Sequence, residues 1–449
     1  SFALGPSLSS NGSVAIVAST ARSESMAFGL EAFSREGAKL AELWDGPDTS
    51  FEIACMSRRP EDPRALVIAN ERGTTSLLIW NPISNSREYL SIAALGTSVQ
   101  SADWSEDASK ILVNSANRGK QELFVFDLAT RSIQQVAPVG MHWQPFFGPD
   151  GNVVSTYSNA TEPWRPVLIS ADDGSLVRVL VGNRIEVPGR HEQSIEITSA
   201  DGVLIQGWML VPEGLGPHPT IINLHGGPAE VDLGGFSAGL QAFVDHGFLV
   251  LSLNYRGSTT FGRDFQTTIY GRLGELELLD IGSARQHLVD LGLADPRLVF
   301  LVGSSYGGYL SILGMGKDPD LFAGAIAEAV ITDWQQLYET GDPAGRGQLV
   351  QFMGCVPSED PDRYRRASPI SYISSIQNPI LIFQGINDTR TPVSQATDFA
   401  DMAARLGKPV ETVLYDSGHG SSDVEIWIEQ TAKKLGFLGS IVNSRRGSF

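Results

Sequence analysis

The chain has 449 residues, of which 42% are hydrophobic and 19% charged, and its formal net charge is −18. This balance is typical of a globular protein with a sizeable core, and the length leaves room for two or three domains. The negative charge disfavours nucleic acid as a partner, because phosphate backbones repel an acidic surface. No apolar run approaches the roughly 20 residues that span a bilayer, so we expect no membrane association.

The two cysteines, Cys55 and Cys355, lie far apart and have no metal-type spacing. We therefore expect free thiols and no metal site. The first ten residues lack the charged-then-apolar pattern of a signal peptide, which favours a cytoplasmic location. The chain starts at Ser1, so a removed presequence would leave no trace. The sequence is compatible with an oligomer and does not fix its size.

Residues 1–182 have the pattern of an all-β domain, in which short apolar strands alternate with turn signals. Four segments can be set in register: Glu31-Ala32-Phe33, Leu78-Ile79-Trp80, Phe124-Val125-Phe126 and Val167-Leu168-Ile169. Their last residues are 47, 46 and 43 positions apart, and each segment is followed by a polar turn. A period in the forties with about four strands per unit predicts a propeller-like domain of about four blades. The alternative is a β-sandwich with accidental spacing.

Residues 183–192 have the composition of a linker, and strands alternate with helices after them. This alternation predicts a mostly parallel sheet in residues 193–449. Near-continuous apolar runs mark its candidate strands: Thr220–Leu224, Phe248–Leu253, Leu298–Val302, Pro379–Phe383 and Val410–Tyr415. A helix is predicted over Gln395–Leu406, ending at Gly407.

One candidate strand runs directly into Gly303-Ser304-Ser305-Tyr306-Gly307, and a helix follows. The pattern G-x-S-x-G between a strand and a helix is the nucleophile elbow of α/β-hydrolases. Its glycines are needed because side chains there would collide with the neighbouring backbone. We therefore predict an α/β-hydrolase domain in which Ser305 is the nucleophile of an acyl-transfer reaction.

A serine nucleophile needs a base, and the base needs an orienting carboxylate. In this fold the chain order is Ser, then the acid, then His. His419 is the only histidine after Ser305, and Asp388 follows a predicted strand and is the predicted acid. Asp416 is a rival acid, disfavoured because it lies only three residues before the histidine. His225 precedes the elbow, which favours a scaffold role.

Two backbone N–H groups are needed to stabilise the oxyanion of the tetrahedral intermediate. Tyr306 follows the nucleophile and is the first predicted donor. Gly227, in the loop after the first predicted strand, is the second. Trp334 and Tyr338 are four positions apart on one helical face. With Tyr306 they are predicted to line the pocket for the substrate side chain, although the same spacing is expected of core packing.

Together these motifs resemble the prolyl oligopeptidase family of serine peptidases, and most closely its acylaminoacyl-peptidase and dipeptidyl-peptidase-like branch. The resemblance runs from about Ile195 to Leu435 and rests on Asp201-Gly202, His225-Gly226-Gly227-Pro228, Asn254-Tyr255-Arg256-Gly257-Ser258, Gly303–Tyr309, Gln384–Pro392 and Gly418-His419-Gly420. It implies a β-propeller before the hydrolase domain, the triad Ser305, Asp388 and His419, and the oxyanion donors Gly227 and Tyr306. It also implies that Tyr255 and Arg256 are scaffold residues.

The sequence departs from the family pattern in several places, one of which is Thr259-Thr260-Phe261-Gly262 in place of the more common Ser-Thr-Gly-Tyr-Gly run, in which Ser258 is retained. Four blades are predicted, where the family usually has seven or eight. Leu273 stands where a tryptophan is frequent, and the β region shows no clear Glu-Glu pair for binding a free N-terminal amine.

The expected function is hydrolysis of amide bonds of short peptides through an acyl-enzyme on Ser305, of the oligopeptidase or acylaminoacyl-peptidase type. No metal or organic cofactor is required, and the expected partner is a short peptide or acyl substrate. The shortened propeller motivates an alternative, in which the same fold serves as an esterase, an isopeptidase or a biosynthetic peptide cyclase. A binding protein built on an inactive hydrolase is disfavoured by the intact motifs.

Overall fold

The computed structural model describes residues 3–23, 27–71, 74–90, 98–137, 140–182, 189–341 and 343–446. They divide into two compact units. The first unit consists of residues in Ser1–Gly189 together with two short segments, Leu233–Phe236 and Thr259–Arg263. The second unit consists of the remaining residues. The domain boundaries at residues 182 and 193 stay a prediction. Residues 183–188 of the predicted linker lie outside the described residues.

The first unit contains four antiparallel sheets of four strands, each in chain order. The first sheet contains β1 (Ala3–Leu8), β2 (Val14–Ser19), β3 (Gly29–Ser34) and β4 (Lys39–Leu43). The second contains β5 (Thr49–Met56), β6 (Ala65–Glu71), β7 (Thr74–Asn81) and β8 (Ser86–Tyr89). The third contains β9 (Ser98–Trp104), β10 (Lys110–Asn117), β11 (Lys120–Asp127) and β12 (Ile133–Gln135). The fourth contains β13 (Met141–Phe147), β14 (Val153–Asn159), β15 (Glu162–Ile169) and β16 (Leu176–Val179).

The four segments that set the sequence repeat all lie in the third strand of a sheet, in β3, β7, β11 and β15. Each of these strands is paired on both sides, so it carries apolar residues such as Trp80 and Phe126, which are buried. The polar turn after each segment leads to the fourth strand. The propeller-like domain of about four blades is therefore confirmed, and the β-sandwich alternative is wrong, because four separate sheets are present.

One partly buried ion pair links three neighbouring sheets. Arg58, between β5 and β6, donates to Asp103 Oδ2 at 2.6 Å and to the Phe147 carbonyl oxygen at 2.8 Å. The Phe147 N–H donates to the same Asp103 oxygen at 2.8 Å. Asp103 lies in β9 and Phe147 in β13, so the second, third and fourth sheets meet at one carboxylate.

We predict that Asp103→Ala lowers the free energy of unfolding by about 2–3 kcal/mol, because the Arg58 guanidinium and the Phe147 N–H lose a charged partner. Urea denaturation measures the change. The control is Asp172→Ala, whose side chain is 91% exposed and lies 3.9 Å from Lys110. It should cost less than about 0.5 kcal/mol, and equal effects of the two substitutions would contradict the prediction.

The second unit is built on one sheet of eight strands, in the order β17-β18-β20-β19-β21-β22-β23-β24. Its strands are β17 (Glu192–Thr198), β18 (Leu204–Leu210), β19 (His218–Leu224), β20 (Leu249–Asn254), β21 (Ala294–Ser304), β22 (Gly324–Glu328), β23 (Ile380–Gly385) and β24 (Val410–Tyr415). Strand β18 pairs antiparallel with β17 and β20, and every pair from β20 to β24 is parallel.

Helices connect the parallel strands, and one more helix follows the last strand. They are α1 (Ala238–Asp245), α2 (Arg263–Thr267), α3 (Leu276–Asp290), α4 (Tyr306–Lys317), α5 (Trp334–Thr340), α6 (Pro343–Met353), α7 (Pro361–Ala367), α8 (Ser394–Arg405) and α9 (Val424–Arg446), with a 3-10 helix over Pro369–Ser375. The predicted strands correspond to β19, β20, β21, β23 and β24, and the predicted helix to α8.

Alternate residues of the central strands enter two different apolar clusters. In β21, Val299 and Leu301 belong to one cluster, whereas Phe300 and Val302 belong to the other. The sheet is therefore buried on both faces, which explains why its strands appear in the sequence as unbroken apolar runs. Open α/β sheets place their sites at the carboxyl ends of the strands, and the chain turns into its motif residues there.

Candidate active site

Ser305 lies between the end of β21 and the start of α4, in a strained backbone conformation. Its φ is 57° and its ψ is −117°, which is unfavourable for a residue with a side chain. The surroundings hold it in place: the Ser305 N–H donates to the Glu328 carbonyl oxygen at 2.8 Å, and the Tyr309 N–H donates to the Ser305 carbonyl oxygen at 2.9 Å. The predicted nucleophile elbow is thus present as a strained strand-to-helix turn.

The glycines of the elbow are required by close backbone contacts. A Cβ atom on Gly303 would lie 2.5 Å from the carbonyl carbon of Gly307. A Cβ atom on Gly307 would overlap the carbonyl oxygen of Leu224, the last residue of β19. The first turn of α4 therefore lies directly against the end of β19, where the glycine loop begins.

Asp388 and His419 lie on the loops that follow β23 and β24, and their side chains meet. His419 Nδ1 is 2.8 Å from Asp388 Oδ2. The Asp388 side chain is fully buried, whereas that of His419 is 21% exposed. The structure therefore brings together the predicted base and acid, and leaves the imidazole partly accessible.

Asp388 is held by further donors. The Thr391 hydroxyl donates to Oδ2 at 2.7 Å, and the N–H groups of Arg390 and Thr391 each donate to Oδ1 at 2.9 Å. Burial alone would raise the pKa of Asp388, but the hydrogen bonds from His419 and Thr391 lower it to about 2. The carboxylate is therefore ionised at any pH near neutrality. The rival acid Asp416 instead accepts a hydrogen bond from Asn387 at 2.8 Å.

The glycine loop after β19 lies beside Ser305. A Cβ atom on Gly226 would lie 3.6 Å from Ser305 Cβ. Gly227 has a φ of +115°, and a Cβ atom there would lie 2.7 Å from the Ala229 nitrogen, so this position requires glycine. The loop thus brings the N–H of Gly227, a predicted oxyanion donor, into the neighbourhood of the nucleophile.

His225 supports this loop from a half-buried position. Its ring stacks on Tyr255, with centroids 4.4 Å apart, and its Nε2 is 2.8 Å from the Ser258 hydroxyl. The Tyr255 hydroxyl donates to the His225 carbonyl oxygen at 2.8 Å. Arg256, the next residue, is buried and donates to Asp280 at 2.7 Å. These contacts describe a rigid support for the loop.

The side chain of Tyr306 is fixed by a buried carboxylate that the sequence analysis did not single out. Its hydroxyl donates to Glu277 Oε1 at 2.5 Å, and the Gly274 N–H donates to Oε2 at 3.1 Å. Burial raises the pKa of Glu277 to about 7, although both hydrogen bonds favour the charged form. As the first residue of α4, Tyr306 has an N–H with no acceptor within the helix, which leaves it free for an oxyanion.

Trp334 and Tyr338 lie on one face of α5 but have different neighbours. Trp334 is buried, with its ring 6.1 Å from Tyr306 and 5.1 Å from Tyr309. Tyr338 is half-buried, with its ring 6.4 Å from Tyr364. Both positions pack in or beside the main apolar cluster, and their role in a substrate pocket stays a prediction.

A separate groove of about 690 Å³ lies between α3 and the end of α4, lined by residues such as Ser283, Arg285 and Lys317. It contains none of the predicted site residues. Within the described ranges, no three or more His, Cys, Asp or Glu side chains are grouped to bind a metal ion. Cys55 and Cys355 are both free thiols. None of the described helices is long and apolar enough to cross a membrane.

Glu277 should impose a pH dependence on stability. The pKa of its carboxyl is 4.5 ordinarily and is raised to about 7 in the folded chain. Between pH 4.5 and pH 7 the folded state therefore holds a proton that the unfolded state has lost. The free energy of unfolding therefore falls as pH rises through this window, by on the order of 3 kcal/mol in total. Glu277→Gln cannot titrate and should remove this contribution. Urea denaturation between about pH 5 and pH 7.5 measures it.

Glu275→Gln, at an exposed neighbour, is the control, and an unchanged pH dependence in Glu277→Gln would contradict the prediction.

Comparison with known proteins shows what the chain is similar to. Residues 235–445 match the sequence model of the prolyl oligopeptidase family. The chain is 26% identical over 370 residues to the acylamino-acid-releasing enzyme of Rattus norvegicus, an alignment that covers 75% of this chain and 48% of that protein. The chain therefore spans about half the length of the curated relatives it matches.

Solved structures share the fold along almost the whole chain. The acylaminoacyl peptidase of Pyrococcus horikoshii superimposes with a TM-score of 0.82 at 20% identity, covering 98% of this chain and 70% of the other. A puromycin-hydrolyzing peptidase of Mycobacterium tuberculosis gives a TM-score of 0.85 at 21% identity with the same coverage. Residues 235–445 thus resemble the prolyl oligopeptidase family, and the chain has the fold of an α/β-hydrolase domain preceded in sequence by a propeller-like β domain, as its motifs predicted.

Proposed function

We propose that this protein is a serine hydrolase that cleaves amide bonds of short peptides through an acyl-enzyme on Ser305. The observation that carries the proposal is the strained Ser305 at the end of β21, together with the Asp388–His419 pair on two neighbouring strand ends. The family match and the name of the rat relative, an acylamino-acid-releasing enzyme, support amide chemistry. Both the oligopeptidase and the acylaminoacyl-peptidase type fit these observations.

The hydrogen bond between Asp388 and His419 assigns the proton positions. An ionised Asp388 can only accept, so His419 Nδ1 carries the hydrogen and Nε2 has a free lone pair. Nε2 is then the base that takes the proton of Ser305 as its oxygen attacks the substrate carbonyl. Asp388 stabilises the imidazolium that forms and keeps the ring in this tautomer.

The tetrahedral intermediate carries a negative charge on the former carbonyl oxygen. The N–H groups of Gly227 and Tyr306 are proposed to donate to this oxygen, each contributing about 3 kcal/mol to the barrier reduction. The C–N bond then breaks, and the leaving amine takes the proton from His419. Water, activated by the same imidazole, attacks the ester on Ser305 and releases the acid.

Substitution of the nucleophile and the acid tests the mechanism. We expect Ser305→Ala to lower kcat by about 10⁶-fold, and Asp388→Asn by about 10⁴-fold, because an amide would favour the wrong imidazole tautomer. Hydrolysis of N-acetylaminoacyl, aminoacyl and proline-containing amides, and of a simple ester, measures the effect and the substrate class.

Asp416→Asn is the matched control, because Asp416 is the rival acid and bonds to Asn387 instead of His419. It should retain most of the activity. A loss as large as that of Asp388→Asn would overturn the acid assignment. Turnover of the ester alone would overturn the amide proposal and favour an acyl transfer of another kind.

A further inference from the structure

The acidic side chain of Glu230 lies beside the proposed oxyanion loop. After β19 the loop folds back, and the Glu230 N–H donates to the Pro228 carbonyl oxygen at 2.9 Å. A Cβ atom on Gly227 would lie 3.3 Å from Glu230 Cβ. The backbone of Glu230 is therefore packed against the glycine whose N–H is a proposed oxyanion donor.

The carboxylate of Glu230 and the side chain of Ser305 both lie beside Gly226. The point where a Cβ atom on Gly226 would sit is 3.9 Å from Glu230 Oε2 and 3.6 Å from Ser305 Cβ. Glu230 Oε2 and Ser305 Cβ are therefore no farther apart than the sum of these two distances. A polar group a few bonds from the attacked carbonyl carbon can therefore approach this carboxylate.

The charge of Glu230 is not neutralised by the protein. Its side chain is exposed and makes no hydrogen bond or ion pair to any described residue. Its charge acts on the half-buried ring of His225 and the buried ring of Tyr255. A second acidic residue of the loop, Asp232, has interactions of its own. Glu230 is thus an unpaired anion beside the position where the reaction creates another anion.

Such an anion has opposite effects on two classes of substrate. For an uncharged acyl group it repels the developing oxyanion and slows the reaction. For an aminoacyl group with a free amine, the α-ammonium is only two bonds from the scissile carbonyl carbon, so it can pair with the carboxylate. The ammonium of a lysine side chain is six bonds away and points into the side-chain pocket instead.

We propose that Glu230 is a specificity residue that binds the α-ammonium group of an unblocked N-terminal residue, whose own carbonyl is the one attacked. The inference rests on the proposed function and narrows it. Among the amides of short peptides, the preferred substrate carries a free amine on the residue that acylates Ser305. The enzyme then acts as an aminopeptidase on such substrates and disfavours N-acylated ones.

Three p-nitroanilides of the same acyl skeleton test this inference. Alanyl p-nitroanilide carries the ammonium, propionyl p-nitroanilide lacks it, and N-acetylalanyl p-nitroanilide has it blocked. For the unsubstituted protein we expect the highest kcat/KM with the first. Glu230→Gln should lower kcat/KM for the alanyl substrate at least tenfold, mainly through KM. The same substitution should leave the propionyl and N-acetylalanyl substrates unchanged or improved.

Glu230→Asp keeps the charge and should retain a preference for the alanyl substrate, whereas Glu230→Gln should lose it. An equal loss on all three substrates would show a structural effect and overturn the inference while leaving the proposed function intact. Unchanged ratios in Glu230→Gln, or a preference of the unsubstituted protein for the N-acetyl substrate, would also overturn it. Hydrolysis of none of the three, at the level of Ser305→Ala, would overturn the proposed function itself.

Discussion

The arrangement of the site depends on one close backbone approach, that of Gly307 to the carbonyl oxygen of Leu224. This contact fixes the start of α4 against the end of β19, and it is available only to a residue without a side chain. Two chain segments are thereby held side by side, although they are far apart in the sequence: the elbow that presents Ser305, and the loop that contains Gly227. The Ser305 hydroxyl and the N–H groups proposed to stabilise the oxyanion are positioned by the same contact, because each belongs to one of the two segments.

Around this contact the hydrolase unit buries polar side chains in pairs. Arg256 lies against Asp280, Tyr306 against Glu277, and Asp388 against His419. Each pair satisfies groups that would otherwise be costly to remove from water. The side chains that orient the site are therefore fixed by their partners, whereas Glu230 is exposed and keeps its charge for other molecules.

The sequence was sufficient to predict those parts of the molecule that have a strong local sequence pattern. Central strands such as β20 and β23 are buried on both faces, so they appear as unbroken apolar runs. The third strand of each β sheet is paired on both sides, and its regular recurrence made the repeat visible. The contact between Asp388 and His419 could be predicted because α/β-hydrolases have a fixed order of acid and histidine along the chain.

Other features had weak signals in the sequence. Strand β17 is largely exposed, and β22 consists mostly of small residues, so neither stands out as a buried strand. Glu277 and Glu230 are ordinary glutamates in the sequence. The first becomes distinctive only through burial next to Tyr306, and the second only because its loop folds back toward Ser305. Contacts of this kind depend on tertiary structure, and a single sequence does not encode them in a readable pattern.

The two units also differ in the sequence separation between the strands that pair with each other. In the β unit every strand pairs with its neighbour in sequence, so each sheet needs only about forty consecutive residues, and loop closure is inexpensive in entropy. In the hydrolase unit β19 pairs with β21 across about seventy intervening residues, and the order of the strands departs from that of the chain. Contact order therefore differs between the units, and the hydrolase sheet should form later and more slowly than the blades. The Ser305 turn, whose strain is held by contacts across that sheet, can be completed only in this slow step.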